Sequence, residues 1–96
     1  MIHPDTASLQ SPSAWIGIDV SKAWLDLCLI GEGIGASAFY RRFANTPKGR
    51  QQIIALAGKR PVRAIVLEAT AGYEQALVCA LLEQGLPVAV VNPLVA

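Results

Sequence analysis

Histidine is almost absent from this sequence, and His3, close to the N-terminus, is the only one. With no second histidine, a Ser-His or Cys-His nucleophile arrangement is excluded within this chain. The two cysteines, Cys28 and Cys79, lie inside apolar runs and lack the paired spacing of a metal site. We interpret both as structural thiols, which behave as small apolar side chains.

The sequence also lacks an excess of charge of either sign. Eight lysines and arginines stand against seven aspartates and glutamates, which gives a net charge of +1. The large basic footprint of many nucleic-acid-binding domains is therefore absent. Binding to DNA or RNA must be argued from a specific site.

Segments that target a chain to membranes or for secretion are missing as well. No apolar stretch reaches the length of a membrane span, which needs about 20 residues. The first residues have neither the basic start nor the apolar core of a secretory signal. We therefore expect a cytoplasmic protein with no membrane partner.

Apolar residues are abundant instead, at 53% of 96 residues, against 16% charged residues. That balance predicts one small domain with a sheet buried on both faces, or with a surface that another domain covers. Residues 1–14 contain Pro4, Pro12 and several serines, and we interpret them as a flexible tail. The domain is then expected to span 15–96.

Hydrophobic periodicity predicts three strands at the start of the domain. The first is WIGIDV, followed by a tight turn at Ser21-Lys22. In the second, WLDLCLIG, one face carries Leu25, Leu27 and Leu29. A glycine-rich turn leads to a third strand over roughly 36–45. The short links between these strands predict an antiparallel meander.

Two helices and two further strands complete the pattern. The first helix begins after Thr46, with proline in its first position, and ends at Gly58. The runs VRAIVLE and LPVAVVN lack alternation, and each predicts a strand buried on both faces. The second helix is expected to begin near 70–72 and to end at Gly85.

The predicted order is β-β-β-α-β-α-β, an α/β fold in which two right-handed crossovers add parallel strands to the meander. Ribonuclease-H-like (RuvC-like) folds and actin-like ATPase halves share this order. The sequence stops right after the fifth strand, at Ala96. We therefore expect a mixed sheet that is truncated before the last helix of the fold.

Two carboxylates occupy strand positions where apolar residues dominate. Asp19 lies near the end of the first strand, and Glu68 closes the fourth, just before a helix. In the predicted topology these strands are neighbours, so their C-terminal ends bring the two side chains close together. Adjacent carboxylates repel unless a cation binds between them, and Mg²⁺ or Mn²⁺ with oxygen ligands fits that need.

Each carboxylate alone has a simpler interpretation. An Asp at a strand end can cap a turn, and a Glu at a strand–helix junction can cap a helix. Only together do Asp19 and Glu68 favour a metal site. Asp26 is a weaker third candidate, because its exposed position in an alternating strand explains it without any function.

Several other side chains are candidates for contact with nucleic acid. Lys22, Arg41 and Arg42 could meet a phosphate backbone, although charges on edge strands also deter aggregation. Trp24 and Tyr40 could stack on bases, but we expect both to pack instead.

Three ordered blocks of the sequence resemble a known family: IGIDVSKAWLDLCLI, VLEATAGYEQAL and LLEQGLPVAVVNP. In order and spacing they are similar to the N-terminal catalytic domain of the DEDD transposases of bacterial insertion sequences, over about 15–93. Members of that family combine a RuvC-like domain with a C-terminal domain that carries a catalytic serine. They act as recombinases guided by a bridge RNA.

The resemblance implies metal-assisted DNA strand cleavage and transfer during transposition. The family's first acidic residue falls on Asp19 and its second on Glu68, which are thereby implied to be catalytic residues and ligands of Mg²⁺ or Mn²⁺. Its other two aspartates and its serine lie beyond the blocks found here, so we expect this fragment alone to be inactive. Ala71 stands where the family usually shows glycine. The implied partners are DNA, a guide RNA and further copies of the chain, in the bacterial cytoplasm.

Two other functions fit part of the pattern. An actin-like ATPase or sugar-kinase half-domain also opens with a GID strand, but its next turn is usually rich in Gly and Thr. Residues 20–23 here contain no glycine. The other alternative is a non-catalytic unit that associates through exposed apolar edges.

Overall fold

The computed structural model describes residues 13–32 and 38–92. Within these ranges the elements follow the predicted order: β1 (Ala14–Val20), β2 (Trp24–Gly31), β3 (Ala38–Ala44), α1 (Pro47–Ala57), β4 (Val62–Glu68), α2 (Gln75–Glu83) and β5 (Val88–Val91). No helix in this part of the chain is long and apolar enough to cross a membrane.

The five strands form one mixed sheet in the order β3-β2-β1-β4-β5. β2 is antiparallel to both β1 and β3, whereas β4 is parallel to both β1 and β5. The predicted meander and the predicted neighbourhood of the first and fourth strands are therefore confirmed. β1 lies at the centre of the sheet because α1 carries the chain from the edge strand β3 to the far side of β1.

One face of the sheet packs against both helices and forms the core. Ile53 of α1 and Leu77 of α2 are buried there against alternate residues of β1, β2 and β4. The predicted face with Leu25, Leu27 and Leu29 is this buried face. Burial of one Leu or Ile side chain contributes about 1.5–3 kcal/mol relative to exposure. The helix-side contacts are therefore the main source of hydrophobic stabilisation in the described chain.

The opposite face of the sheet, which we call the open face, is covered by neither α1 nor α2. The prediction that β4 and β5 are buried on both faces is therefore wrong for the described chain. β4 buries Ile65 and Leu67 but exposes Glu68, and three of the four residues of β5 are exposed. Both strands are apolar in sequence. However, β5 is an edge strand, and both helices pack on the face of the sheet opposite the open face.

The ends of α1 follow the predicted signals. The Thr46 hydroxyl accepts a hydrogen bond from the Gly49 N–H at 3.1 Å, and Pro47 occupies the first helical position. At the other end the N–H of Gly58 donates to the Ile54 carbonyl. Both boundaries are confirmed, because the local sequence satisfies the unpaired groups at each helix end.

The second helix begins later than predicted, at Gln75. Gly72 has a φ of +99°, which takes the preceding segment out of helical geometry. The N–H and hydroxyl of Thr70 both donate to the Glu74 carboxylate, and the hydroxyl bond is the main cause of a lowered pKa for Glu74. The predicted end is confirmed, since Gly85 has a φ of +70° just beyond the helix.

The predicted boundary between tail and domain also shifts. Ala14 is fully buried, and its N–H donates to the Pro61 carbonyl at 3.0 Å, so the sheet begins before Trp15. The remainder of the predicted tail, 1–12, and most of the glycine-rich turn after β2 lie outside the described residues.

A small polar cluster lies where β1 begins. The Glu32 carboxylate accepts hydrogen bonds from the Ser13 hydroxyl at 2.5 Å and from Arg63 Nε at 2.6 Å. These two bonds, with that of Ser13 the larger cause, lower the pKa of Glu32 to about 2. The register of β1 and β4 shifts beside this cluster, between Ala14 and Trp15.

We expect Gly49→Ala to destabilise the chain by roughly 1–3 kcal/mol, the usual range for overpacking. A Cβ at Gly49 would lie 1.8 Å from the Ala44 carbonyl oxygen, which is backbone and cannot rotate away. Urea denaturation measures the change. Gly58→Ala, at the C-cap of the same helix, is the matched control, since its Cβ would meet its nearest neighbour, the Ile54 oxygen, at 3.5 Å. Equal losses of stability in both variants would contradict the close contact.

We expect the Glu32 carboxyl to titrate near pH 2. The unfolded value is about 4.3, so the stability that this group contributes is present above about that pH and is lost as the pH falls towards the folded value. NMR detection of the side-chain carboxyl carbon measures the titration. Ser13→Ala and Arg63→Gln should each raise the pKa, whereas Arg60→Gln should not. Titration of the unaltered group near its ordinary value would refute the assignment.

Candidate metal centre

Asp19 and Glu68 lie at the C-terminal ends of two adjacent parallel strands. The register of β1 and β4 pairs Ile18 with Leu67, and the two carboxylates are the next residue of each strand. Neighbouring strands are about 4.8 Å apart. Both residues are exposed and line one shallow cleft on the open face, together with Gly17 and Val66. The structure therefore brings these two predicted site residues together.

Among the residues that the structure describes, these two carboxylates differ from the others near them in having no compensating group. Within 13–32 and 38–92, neither accepts a hydrogen bond from, or forms an ion pair with, another side chain. By contrast, Asp26, Glu32 and Glu74 each accept hydrogen bonds from a cation or a hydroxyl. A pair of unpartnered carboxylates on adjacent strands is a place of concentrated negative potential.

The donor set fits a hard divalent cation but supplies only part of its ligands. Mg²⁺ is bound through carboxylate and water oxygens in near-octahedral geometry. Asp19 and Glu68 supply carboxylate oxygens from two strand ends. In the described part of the chain, no three His, Cys, Asp or Glu side chains form a group that could hold a metal. Asp19 and Glu68 therefore form a pair of candidate metal ligands.

Asp26 of β2 pairs directly with Asp19 of β1. Its carboxylate accepts two hydrogen bonds from Arg42, at 2.7 Å from Nε and 3.2 Å from Nη2, and these bonds lower the pKa of Asp26. Asp26 thus has a partner for its charge, although it lies beside the pair. Asp26, which was the weaker candidate from the sequence, is therefore the carboxylate whose charge is neutralised by a partner.

The two aromatic candidates are in different environments. The Arg42 guanidinium lies 5.1 Å from the centre of the Trp24 ring. Trp24 is nevertheless 44% exposed, so this contact is the only part of the expected packing that is found among the described residues. Tyr40 is 75% exposed. The expectation that Tyr40 packs is wrong, because it lies on the edge strand, on the open face that neither helix covers.

Asn45 connects the segments that follow the two carboxylates. Its Nδ2 donates to the carbonyl of Ser21, just beyond β1, at 3.0 Å and to the carbonyl of Tyr73, beyond β4, at 3.1 Å. Its Oδ1 accepts from Arg50, and its backbone N–H donates to the Ala23 carbonyl. One side chain therefore fixes the turn after Asp19 relative to the segment that follows Glu68.

Sequence reasoning missed Asn45, which was assigned only to the end of a strand. The available signal was its place between a strand and the Thr46-Pro47 helix start, because Asn at such a junction often bonds nearby backbone groups. Nothing in the pattern indicated that its partners are distant in sequence.

We expect Asn45→Ala to lower the free energy of unfolding by about 1–3 kcal/mol, since each lost hydrogen bond is worth about 1 kcal/mol. Asn45→Asp should cost at least as much, because it keeps the acceptor for Arg50 but sets a carboxylate against two carbonyls. Urea denaturation measures both. Gln52→Ala, at an exposed amide of α1, is the control. A loss in Asn45→Ala no larger than in that control would show that these bonds are unimportant.

Comparison with known proteins agrees with this geometry. A family model described as a transposase, DEDD_Tnp_IS110, matches residues 16–96. Among solved structures, the chain is similar to Thermus thermophilus RuvC in complex with a Holliday junction substrate, with a TM-score of 0.58 and 18% identity over 84% of this chain and 66% of that chain. A second Thermus thermophilus RuvC structure has a TM-score of 0.55 and 23% identity, over 83% and 62% respectively.

These similarities confirm the predicted α/β, ribonuclease-H-like fold. A search of curated proteins gives no match. The chain spans no more than about two thirds of the length of either RuvC chain.

Proposed function

The chain belongs to the DEDD transposase family of the IS110 type, and on that premise we propose that it supplies half of the metal site of a DNA transposase. Asp19 and Glu68 bind a divalent cation beside the DNA strand that is cut and transferred. The family resemblance implies that two further aspartates form the other half of the metal site, and that a second domain carries the catalytic serine.

The observation that supports this proposal most is the adjacency of two uncompensated carboxylates. If they were only a turn cap and a helix cap, each would accept a hydrogen bond from local backbone or hydroxyl groups, as Glu74 does from Thr70. Neither does so within the described residues. Repulsion between two such neighbours is relieved by a bound cation, and their position on rigid strand ends fixes the direction of both.

The residues of the chain then perform three tasks. Asp19 and Glu68 hold the cation, and Asn45 keeps the two segments beyond them in place. When bound, the cation stabilises the negative charge on the attacking and leaving oxygens of a phosphoryl transfer. Asp26 is held in its own ion pair with Arg42 and does not compete for the metal.

Membership of the family supports the transposase over the actin-like ATPase half-domain that the strand order also allows. Guide RNA and assembly into an oligomer follow from the family resemblance, and they stay predictions for this chain. Its exposed apolar side chains, among them Trp15 and Ile30 on the open face, are compatible with association.

The metal site is tested by titrating the isotope-labelled chain with Mn²⁺. Paramagnetic broadening should be strongest at the amides of Asp19 and Glu68 and their strand neighbours. Asp19→Asn or Glu68→Gln should lower the affinity by about tenfold or more, since removal of even a supporting group of a metal site costs roughly 10–100-fold. Glu83→Gln removes an exposed carboxylate elsewhere and should change nothing. Broadening centred away from the two strand ends would overturn the assignment.

The same substitutions test catalysis in a transposase that carries this domain with the family's other acidic residues. Asp19→Asn and Glu68→Gln should each reduce DNA strand cleavage by a factor of at least about 10², the loss typical when one stabilising group is removed. Glu83→Gln should cleave at the normal rate. Normal recombination by either active-site variant would show that these carboxylates have another role.

A further inference from the structure

A groove of about 540 Å³ lies on the open face beside the metal centre. Its floor is formed by two rows of residues, and each row contains directly paired residues of β1, β2 and β3. One row is Gly17, Cys28 and Tyr40, and the next is Asp19, Asp26 and Arg42. Gly17 and Asp19 also line the cleft that contains Glu68. The groove and the metal centre are therefore one continuous depression.

Tyr40 gives the groove an exposed aromatic surface. The side chain is 75% exposed and lies on the edge strand. Two strands away in the same row, Gly17 has no side chain, and a Cβ built on it would meet no atom within 4 Å. Flat rings can therefore approach Tyr40 from the open side without displacing any described group. Stacking of a base on such a ring is a common element of binding to single strands.

Arg42 adds a cation whose position is fixed. It donates two hydrogen bonds to the Asp26 carboxylate and lies over the Trp24 ring. A guanidinium has five N–H donors, so three remain after the bonds to Asp26. These are available to a phosphate oxygen in the groove, and they need little further ordering of the side chain.

The charges around the groove decide which kind of nucleic acid fits it. On the open face Asp19 and Asp26 outnumber Arg42, because the Arg41 side chain lies on the opposite face of β3 over the Phe43 ring. There is therefore no excess of positive charge to attract a duplex at long range. Attraction must come from stacking and from local phosphate contacts. Stacking requires an unpaired base, which a duplex does not present.

We propose that this groove binds the single DNA strand next to the phosphate that is cut, with an unpaired base stacked on Tyr40 and a backbone phosphate bound by Arg42. The proposal rests on the proposed function, because the strand in the groove leads directly to Asp19. It adds two residues that contact the substrate strand and makes local strand opening a condition of binding.

Fluorescence anisotropy of the full chain with a labelled DNA strand of about twelve nucleotides tests the role of Tyr40. Tyr40→Ala should weaken binding by roughly 5- to 150-fold, the range for loss of one stacked base. Tyr40→Phe keeps the ring and should bind within about twofold of the unaltered chain. Tyr73→Ala, at another exposed tyrosine, is the control. Equal binding by Tyr40→Ala and the unaltered chain would overturn the proposal.

The role of Arg42 is tested with a charge-neutral pair of substitutions. Asp26→Asn/Arg42→Gln removes one charge of each sign, so the net charge does not change. This double variant should bind the strand more weakly, and the slope of log affinity against log salt should fall by about 0.7, as for one lost phosphate contact on a single strand. Glu32→Gln/Arg63→Gln removes the corresponding pair beside the other end of β1 and should keep both values. An unchanged slope in the first double variant would refute the phosphate contact.

Further binding measurements distinguish single-stranded DNA from duplex DNA and RNA as the ligand, and distinguish the groove proposal from the metal-site proposal. Duplex DNA should bind more weakly than the single strand and with no dependence on Tyr40. Tighter binding of an RNA strand of the same sequence, lost in Tyr40→Ala, would overturn the assignment to DNA. Glu68→Gln, which lies outside the groove lining, should weaken Mn²⁺ binding about tenfold or more but keep strand binding without metal. Normal strand binding by the groove variants, together with normal Mn²⁺ binding, would refute the groove while leaving the metal centre intact.

Discussion

β1 forms hydrogen bonds along both of its edges, antiparallel with β2 and parallel with β4. The parallel pairing determines where the carboxylates meet. Asp19 and Glu68 are 49 positions apart (68 − 19), yet they become neighbours because a crossover returns the chain in the same direction as β1. If β4 were antiparallel to β1, Glu68 would instead lie at the other end of the strand pair, away from Asp19.

The distribution of partners among the carboxylates gives the open face its electrostatic character. Exposed ion pairs such as Asp26–Arg42 and Glu32–Arg63 contribute little to stability, because water screens the charges. Their larger effect is on the local potential, since each removes a negative charge from the surroundings of β1. In the described part of the chain around β1, the pair Asp19 and Glu68 is left without a compensating group. The negative potential at the site therefore depends on two things: its own two carboxylates, and the neutralisation of Asp26 and Glu32 by arginines.

Much of this architecture could be predicted because it rests on local rules. Alternation in β2, the Thr46 cap and the glycine that ends each helix act over a few residues, and the structure follows them. The adjacency of the two carboxylates needed only one additional rule, the right-handed crossover. The prediction that β5 is buried on both faces was wrong, because an apolar strand has the same sequence pattern whether one of its faces is covered or both are.

Features that depend on distant partners were not predictable from one sequence. Asn45 has hydrogen-bond partners 24 and 28 positions away, and no local pattern reveals such contacts. The exposure of Tyr40 depends on which face the helices leave open. In each case the deciding interaction is tertiary.

The close contact between Gly49 and Ala44 has a consequence for the strand that precedes it. β3 contains the nearly symmetrical run FYRRF, in which each face of the strand carries an aromatic residue and an arginine. A slip of one position would exchange Tyr40 and Arg42 for Phe39 and Arg41 on the open face, and it would also take the buried Phe43 out of the core. Burial of Phe43 therefore favours the observed alignment. The corner formed by the β3 terminus and the first turn of α1, where a Cβ at Gly49 would lie 1.8 Å from the Ala44 carbonyl oxygen, adds a backbone constraint on the position of β3.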